Sequence, residues 1–207
     1  GFLLFLAFGA NVWLSAIGAI AITFCSYNMQ IIQVGHNSKM LAIAYMPWVL
    51  AALVYAYRKK PLLGSIFFAF ALSFQIKANH PQITYYLAFI VLGYAIAQMC
   101  SAIKNKTFPS FFRTSLMVLV AGLLGIATNT TKLLPTYEYA KYTMRGGSEL
   151  TKDSQVQTED GLDIDYATAW SYGITETPNL LIPNFNGGSS SGRLTKDSET
   201  YKVLRSN

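Results

Sequence analysis

The first 137 residues of this 207-residue chain contain no aspartate and no glutamate. All ten acidic residues lie from Glu138 onward, whereas nine of the sixteen lysines and arginines precede it. A soluble domain normally mixes both charge signs over its surface. An apolar, acid-free stretch with short basic clusters is instead typical of a chain built for lipid. The boundary at Glu138 therefore predicts a membrane part before it and a water-facing part after it.

Apolar stretches before Glu138 approach the length of about 20 residues that a helix needs to cross a bilayer. Because they are apolar on all sides, they favour a membrane bundle over a soluble one. We predict an all-α, polytopic transmembrane helix bundle over residues 1–137, followed by a mostly irregular extracytoplasmic segment over residues 138–207. The predicted bundle has about five full spans, near residues 11–27, 40–57, 61–76, 83–103 and 114–134, and a truncated one at the start. Since the chain begins in apolar sequence without a methionine, we expect a fragment of a longer protein.

Basic clusters between the predicted spans indicate an orientation. Arg58, Lys59 and Lys60 separate the second and third spans, and another basic group separates the fourth and fifth. Loops rich in lysine and arginine stay in the cytoplasm. This rule predicts that residues 28–39, 77–82 and 138–207 are extracytoplasmic. The excess of basic residues is thus explained by membrane flanks, and we expect no nucleic-acid partner.

Both histidines of the chain fall in the two predicted outer loops that connect spans. The first loop holds His36, Asn37 and Lys39, and the second holds Lys77, Asn79, His80 and Gln82. Such side chains suit phosphate or sugar hydroxyls. The alternative is two ordinary interfacial loops with lysines that extend toward water. Two histidines without a nearby acid make a poor metal site. We therefore predict no cofactor, and a divalent metal is possible but unsupported.

A dense run of polar side chains follows the fifth predicted span. Pro135 is expected to kink or end this helix. Lys132 and Glu138 are candidates for the edge of a binding site, and Arg145 is a further candidate in the tail. The alternative is simply a polar helix end beside interfacial tyrosines.

Four segments together resemble the YfhO family of bacterial integral membrane proteins, in particular its Bacteroidetes members. They are Gln33–Lys39, Lys77–Gln82, Tyr142–Leu150 and Pro178–Phe185. The resemblance implies a GT-C type glycosyltransferase in the bacterial inner membrane. It implies a polyprenyl-phosphate sugar donor and a cell-envelope glycopolymer or glycolipid acceptor, with transfer on the outer face.

Such enzymes typically place a catalytic acid in the first outer loop, but no acid precedes Glu138. The catalytic residue therefore stays unassigned; we expect it in a part preceding this chain or, as the weaker alternative, at Glu138 or in the tail. The residues present are expected to bind the donor phosphate through His36, Lys39, Lys77 and His80.

Two other functions compete with glycosyl transfer. A transporter or flippase for a lipid-linked sugar would use the same donors, and it is expected to place an ionisable residue in mid-membrane. None of the five predicted spans has a charge at its centre, which favours a site at the surface. A membrane-anchored binding protein would leave the histidines and lysines of the outer loops without a role.

Overall fold

The computed structural model describes residues 1–140 and 173–182, together with Thr168, Ser171, Phe185 and Lys202. The chain divides into two compact units, Gly1–Trp170 and Ser171–Asn207. In the second unit, a 3₁₀ helix covers Ile174–Leu180. Its start is held by the backbone N–H of Gly173, which donates to the Glu176 carboxylate at 3.0 Å. The predicted outer segment over residues 138–207 lies mostly outside the described residues.

The first unit is helical, and no strand occurs among its described residues. The eight helices described there are α1 (Phe2–Phe8), α2 (Val12–Thr23), α3 (Ser26–Gln33), α4 (Asn37–Arg58), α5 (Pro61–Lys77), α6 (Pro81–Lys104), α7 (Phe108–Ala127) and α8 (Thr130–Ala140). Proline occupies the first turn of α5, α6 and α7. Backbone N–H groups in this turn have no acceptor within the helix, so the N–H that proline lacks costs no hydrogen bond there. The all-α prediction is confirmed for this part of the chain.

Four helical stretches are long and apolar enough to cross a membrane. They are Val12–Gln33, Asn37–Arg58, Pro81–Lys104 and Phe108–Ala127. The remaining predicted span, α5, has 17 residues. At 1.5 Å per residue it rises about 25 Å, less than the roughly 30 Å of a bilayer core. The number of spans therefore stays a prediction.

The connection before α4 is shorter than the sequence indicated. Residues 28–39 were expected to form a loop, but α3 extends to Gln33 and α4 begins at Asn37. The chain turns at Gly35, whose φ of 80° lies in the left-handed region that glycine adopts without strain. Asn28 supports the break between α2 and α3, because its buried amide donates to the Ile22 carbonyl at 2.7 Å. The predicted loop is thus wrong over most of its length.

The end of the fifth predicted span also differs. α7 ends at Ala127, and α8 then continues through Pro135 to Ala140. The turn comes earlier because the Asn129 side chain donates to the carbonyls of Gly125 and Ser73, at 3.2 and 3.1 Å. Proline has a helical φ, so α8 continues at the loss of one hydrogen bond. The prediction that Pro135 ends the helix is wrong, since the break precedes it and α8 continues to Ala140. A kink at Pro135 stays a prediction.

Small residues hold the helices together. Gly64 of α5 lies so close to Ala56 of α4 that an added Cβ would overlap the Ala56 backbone. A Cβ on Gly125 of α7 would lie 2.9 Å from the Ala69 carbonyl oxygen of α5. Membrane helices pack through such small residues because lipid provides no hydrophobic drive between them. The central cluster contains Val49, Ala52, Leu53, Ala56, Phe68, Ala71, Leu87, Val118 and Ala121.

Large apolar side chains cover the outside of the bundle. Trp13 of α2 is 81% exposed, and Leu119 and Leu123 of α7 are 60% and 59% exposed. A water-soluble monomer rarely exposes an apolar surface of this extent. The arrangement of small residues inside and large ones outside fits a lipid environment.

Replacing Gly64 with alanine is expected to lower the free energy of unfolding by about 1–3 kcal/mol, because the new methyl group overpacks the α4–α5 contact. Gly93→Ala is the matched control, since a Cβ there meets nothing within 4 Å. Thermal unfolding in detergent micelles measures both variants. Equal stability of the two variants would contradict the proposed packing.

Candidate functional site

The helix directions gather the predicted binding residues at one end of the bundle. Tyr45 near the start of α4 stacks on Phe74 near the end of α5, with ring centroids 5.9 Å apart. The end of α7 reaches the same place, because Asn129 donates to the Ser73 carbonyl. We call this the lysine–histidine end, defined by His36, Lys39, Lys77, His80 and Lys132. It combines five candidates from three separate parts of the sequence.

His80 lies near Lys39 and His36. Burial lowers the pKa of His80 below its usual value of 6.5, the charge of Lys39 lowers it further and His36 adds a smaller effect, while contact with its own backbone partly offsets the change. His36, Lys39 and His80 are therefore close enough to influence one another's charge. Because the unfolded chain then binds the proton first, stability falls as the pH drops from about 6.5 through the lower pKa of folded His80.

Lys39 is held by the helix before it. Its Nζ lies 5.4 Å from the centre of the Tyr27 ring, a cation–π contact between α4 and α3. The side chain is half-buried. This contact fixes the ammonium group on the side of the bundle where His36 and His80 lie.

Lys132 and Lys77 are joined across α8 and α5. The Lys132 Nζ donates to the Lys77 carbonyl oxygen at 3.4 Å, which satisfies one carbonyl at the end of α5. A hydroxyl pair supports this contact, because Ser73 Oγ and Thr128 Oγ1 lie 2.7 Å apart. Both lysines are exposed, so their remaining donors face outward.

Other predicted site residues are not brought into this group. Gln82 donates to the Tyr86 hydroxyl at 3.1 Å, one turn further along α6. Glu138 is exposed on α8, and Arg145 lies outside the described residues. Asn37 and Asn79 are exposed at the lysine–histidine end, and Asn79 adopts a left-handed φ of 56°, which asparagine tolerates better than most residues.

Two polar residues at this end were not predicted from the sequence. Gln75 of α5 is fully buried, and Thr84 of α6 donates to its Oε1 at 3.0 Å. Gln75 falls in the sequence context of the second histidine loop, and Thr84 follows that loop in the next predicted span. Neither was named as a binding residue, because the sequence does not show which side of a helix faces the interior.

The opposite end of the bundle, which we call the Arg58 end, is also basic. It contains Arg58, Lys59, Lys60, Lys104, Lys106 and Arg113. A cavity of about 90 Å³ lies there, lined mainly by hydroxyl and amide side chains such as Tyr57, Gln98 and Ser101. Tyr57 also bonds Ser115 of α7 at 2.8 Å. None of the histidines contributes to this end.

No group of three or more histidine, cysteine or acidic side chains that could hold a metal ion occurs in the part of the chain that the structure describes. No family model, curated protein or solved structure matches this chain. The lysine–histidine end combines hydrogen-bond donors with positive charges. Residues 1–137 contain no acid that could balance them.

The pKa of His80 is expected to rise in Lys39→Met, because the substitution removes the positive charge that lowers it. Proton NMR of the ring follows this pKa, and His36→Gln as a background leaves a single histidine signal. Lys59→Met, at the Arg58 end, is the control and should leave the pKa unchanged. An unchanged pKa in Lys39→Met would show that the two groups are not neighbours.

Proposed function

We propose that this chain belongs to a YfhO-like, GT-C type glycosyltransferase of the bacterial inner membrane. The enzyme would move a sugar from a polyprenyl-phosphate donor to a cell-envelope glycopolymer or glycolipid. The observation that carries the proposal is the gathering of His36, Lys39 and His80 at one end of a membrane-type bundle. The four sequence segments that resemble the YfhO family suggest glycosyl transfer as the reaction.

Electrostatics favours an anionic ligand at the lysine–histidine end. Burial and the charge of Lys39 both disfavour a proton on His80, so the positive potential at this end is not neutralised locally. An acid normally neutralises such a potential, but residues 1–137 contain none. A bound phosphate group would neutralise it instead, because its oxygens accept charge-assisted hydrogen bonds from lysine and histidine.

The surface beside these cations favours a ligand with an apolar tail. Tyr45 stacks on both Trp48 and Phe74, and the latter two side chains are 46% and 42% exposed. These rings lie on α4 and α5, within about three turns of the lysine–histidine end. A polyprenyl phosphate has matching chemistry, with a charged head group for the cations and an apolar chain for the rings and the lipid.

The orientation follows from the distribution of positive charge. Six lysines and arginines lie at the Arg58 end, against three lysines at the lysine–histidine end. The end with more basic residues is expected in the cytoplasm. The proposed site then faces the outer side, where an envelope acceptor is present.

In the proposed reaction, an acceptor hydroxyl oxygen bonds to the anomeric carbon of the sugar. The bond between that carbon and the donor phosphate oxygen breaks, and its electron pair stays on the polyprenyl phosphate. Lys39, Lys77 and His80 stabilise the charge that develops there. The hydroxyl proton passes to a carboxylate acting as general base, which stays unassigned because residues 1–137 contain no acid.

Lys77→Ala and His80→Ala should each reduce sugar transfer by at least about 100-fold, the usual cost of removing a donor to a developing oxyanion. The assay uses the full-length protein in proteoliposomes with a polyprenyl-phosphate sugar, and expression should be unchanged. Lys59→Ala and Lys106→Ala control for the loss of a basic residue and should retain activity.

Full transfer activity in both Lys77→Ala and His80→Ala would reject the proposed site. A wild-type protein that moves the lipid-linked sugar across the bilayer without transferring it would instead support a flippase.

A further inference from the structure

The side-chain amide of Gln75 is a buried polar group at the lysine–histidine end. This residue lies in the last two turns of α5, and none of its surface is exposed. Its Oε1 accepts a hydrogen bond from Thr84 Oγ1 at 3.0 Å. Its Nε2 is buried and has no hydrogen-bond partner.

An unpaired buried N–H group costs free energy, because it has lost its bonds to water and gained none. Such groups are rare in folded proteins and often mark a functional site. Methionine has a similar volume and would fill the same space without this cost. The amide at position 75 is therefore better explained by a ligand than by packing.

The neighbours of Gln75 belong to the lysine–histidine end. Thr84 links Gln75 to His80, because its hydroxyl oxygen lies 3.0 Å from Gln75 Oε1 and 3.4 Å from the His80 carbonyl oxygen. The Nδ1 atom of His80 is likewise buried without a partner. Lys77 follows Gln75 by two residues and is exposed, so the two side chains lie on different faces of α5. The unpaired atoms of Gln75 and His80 therefore occur together at the end of the bundle where Lys39 acts on His80.

The hydrogen bond from Thr84 also determines which atom of the Gln75 amide is left to bind a ligand. Because the carbonyl oxygen of the amide is already occupied, the free group is the N–H donor. Lys39, which acts on the neighbouring His80, is a donor as well. A phosphate oxygen has only lone pairs and suits such a set, whereas a sugar hydroxyl would also bring a hydrogen that needs an acceptor.

We propose that Gln75 is a ligand-binding residue whose Nε2 donates to a phosphate oxygen of the polyprenyl-phosphate donor. This inference rests on the proposed function and adds a residue to its site. Because none of the Gln75 surface is exposed, binding requires the side chains around its amide to shift.

The test measures binding of a short-chain polyprenyl phosphate to the full-length protein in lipid nanodiscs. Gln75→Met should weaken binding at least 10-fold, while the thermal stability of the ligand-free protein stays equal or rises, because the unpaired donor is removed. Gln98→Met is the matched control, since Gln98 lines the cavity at the Arg58 end, and it should bind as wild type. The corresponding polyprenyl alcohol should not distinguish Gln75→Met from wild type.

Three results would overturn the assignment of Gln75. Unchanged phosphate binding in Gln75→Met, with binding lost in Lys77→Ala, would reject Gln75 and leave the proposed function standing. Unchanged binding in both variants would reject both proposals. An equal loss for the alcohol and the phosphate would exclude recognition of the phosphate. If Gln75→Met does not fold, Gln75→Glu keeps the shape, and its carboxylate should weaken phosphate binding at least as much.

Discussion

The gathering of lysines and histidines at one end of the bundle, with no carboxylate in residues 1–137, is the constraint on which the rest of this structure depends. Three lysines and two histidines share one end of a bundle whose first 137 residues include no acid. His80 responds to this environment, since burial and the charge of Lys39 both lower its pKa. A protein selected only for stability would balance such a group with a carboxylate. No carboxylate in residues 1–137 balances this charge, which is the physical reason to expect an anion.

Close helix packing makes that arrangement possible. Gly64 allows α4 and α5 to approach at the Arg58 end, and Gly125 allows α5 and α7 to approach near the other end. The polar contacts of Asn129 with Ser73 then bring the turn before α8 against α5. Lys132 therefore reaches the Lys77 carbonyl. Cations from distant parts of the sequence meet because small residues let their helices pack tightly.

Much of the fold could be predicted from the sequence, because membrane helices are specified by long apolar runs without acids. The helices α4, α6 and α7 appear where those runs occur, and all the helix starts with proline fit their local chemistry. Boundaries were harder, since they depend on single side chains. Gly35 shortens the connection before α4. Asn129 ends the last predicted span at a position that precedes Pro135 in the chain.

The candidate site could be predicted only in part. Histidines and lysines between apolar runs identified the lysine–histidine end, because charged groups avoid the bilayer interior. The sequence could not show that Gln82 turns toward Tyr86, nor that Gln75 faces the interior with a free N–H. Both depend on the rotation of a helix about its axis, which α5 and α6, apolar on nearly every side, do not reveal through their residue pattern.

The central claim is that the lysine–histidine end binds a phosphate anion. The pKa of His80, followed by NMR in the full-length protein with and without a saturating short-chain polyprenyl phosphate, tests it most directly. A bound anion favours the protonated ring, so the account predicts a higher pKa with the ligand. The same pKa in both conditions, with the ligand shown to be bound, would contradict it.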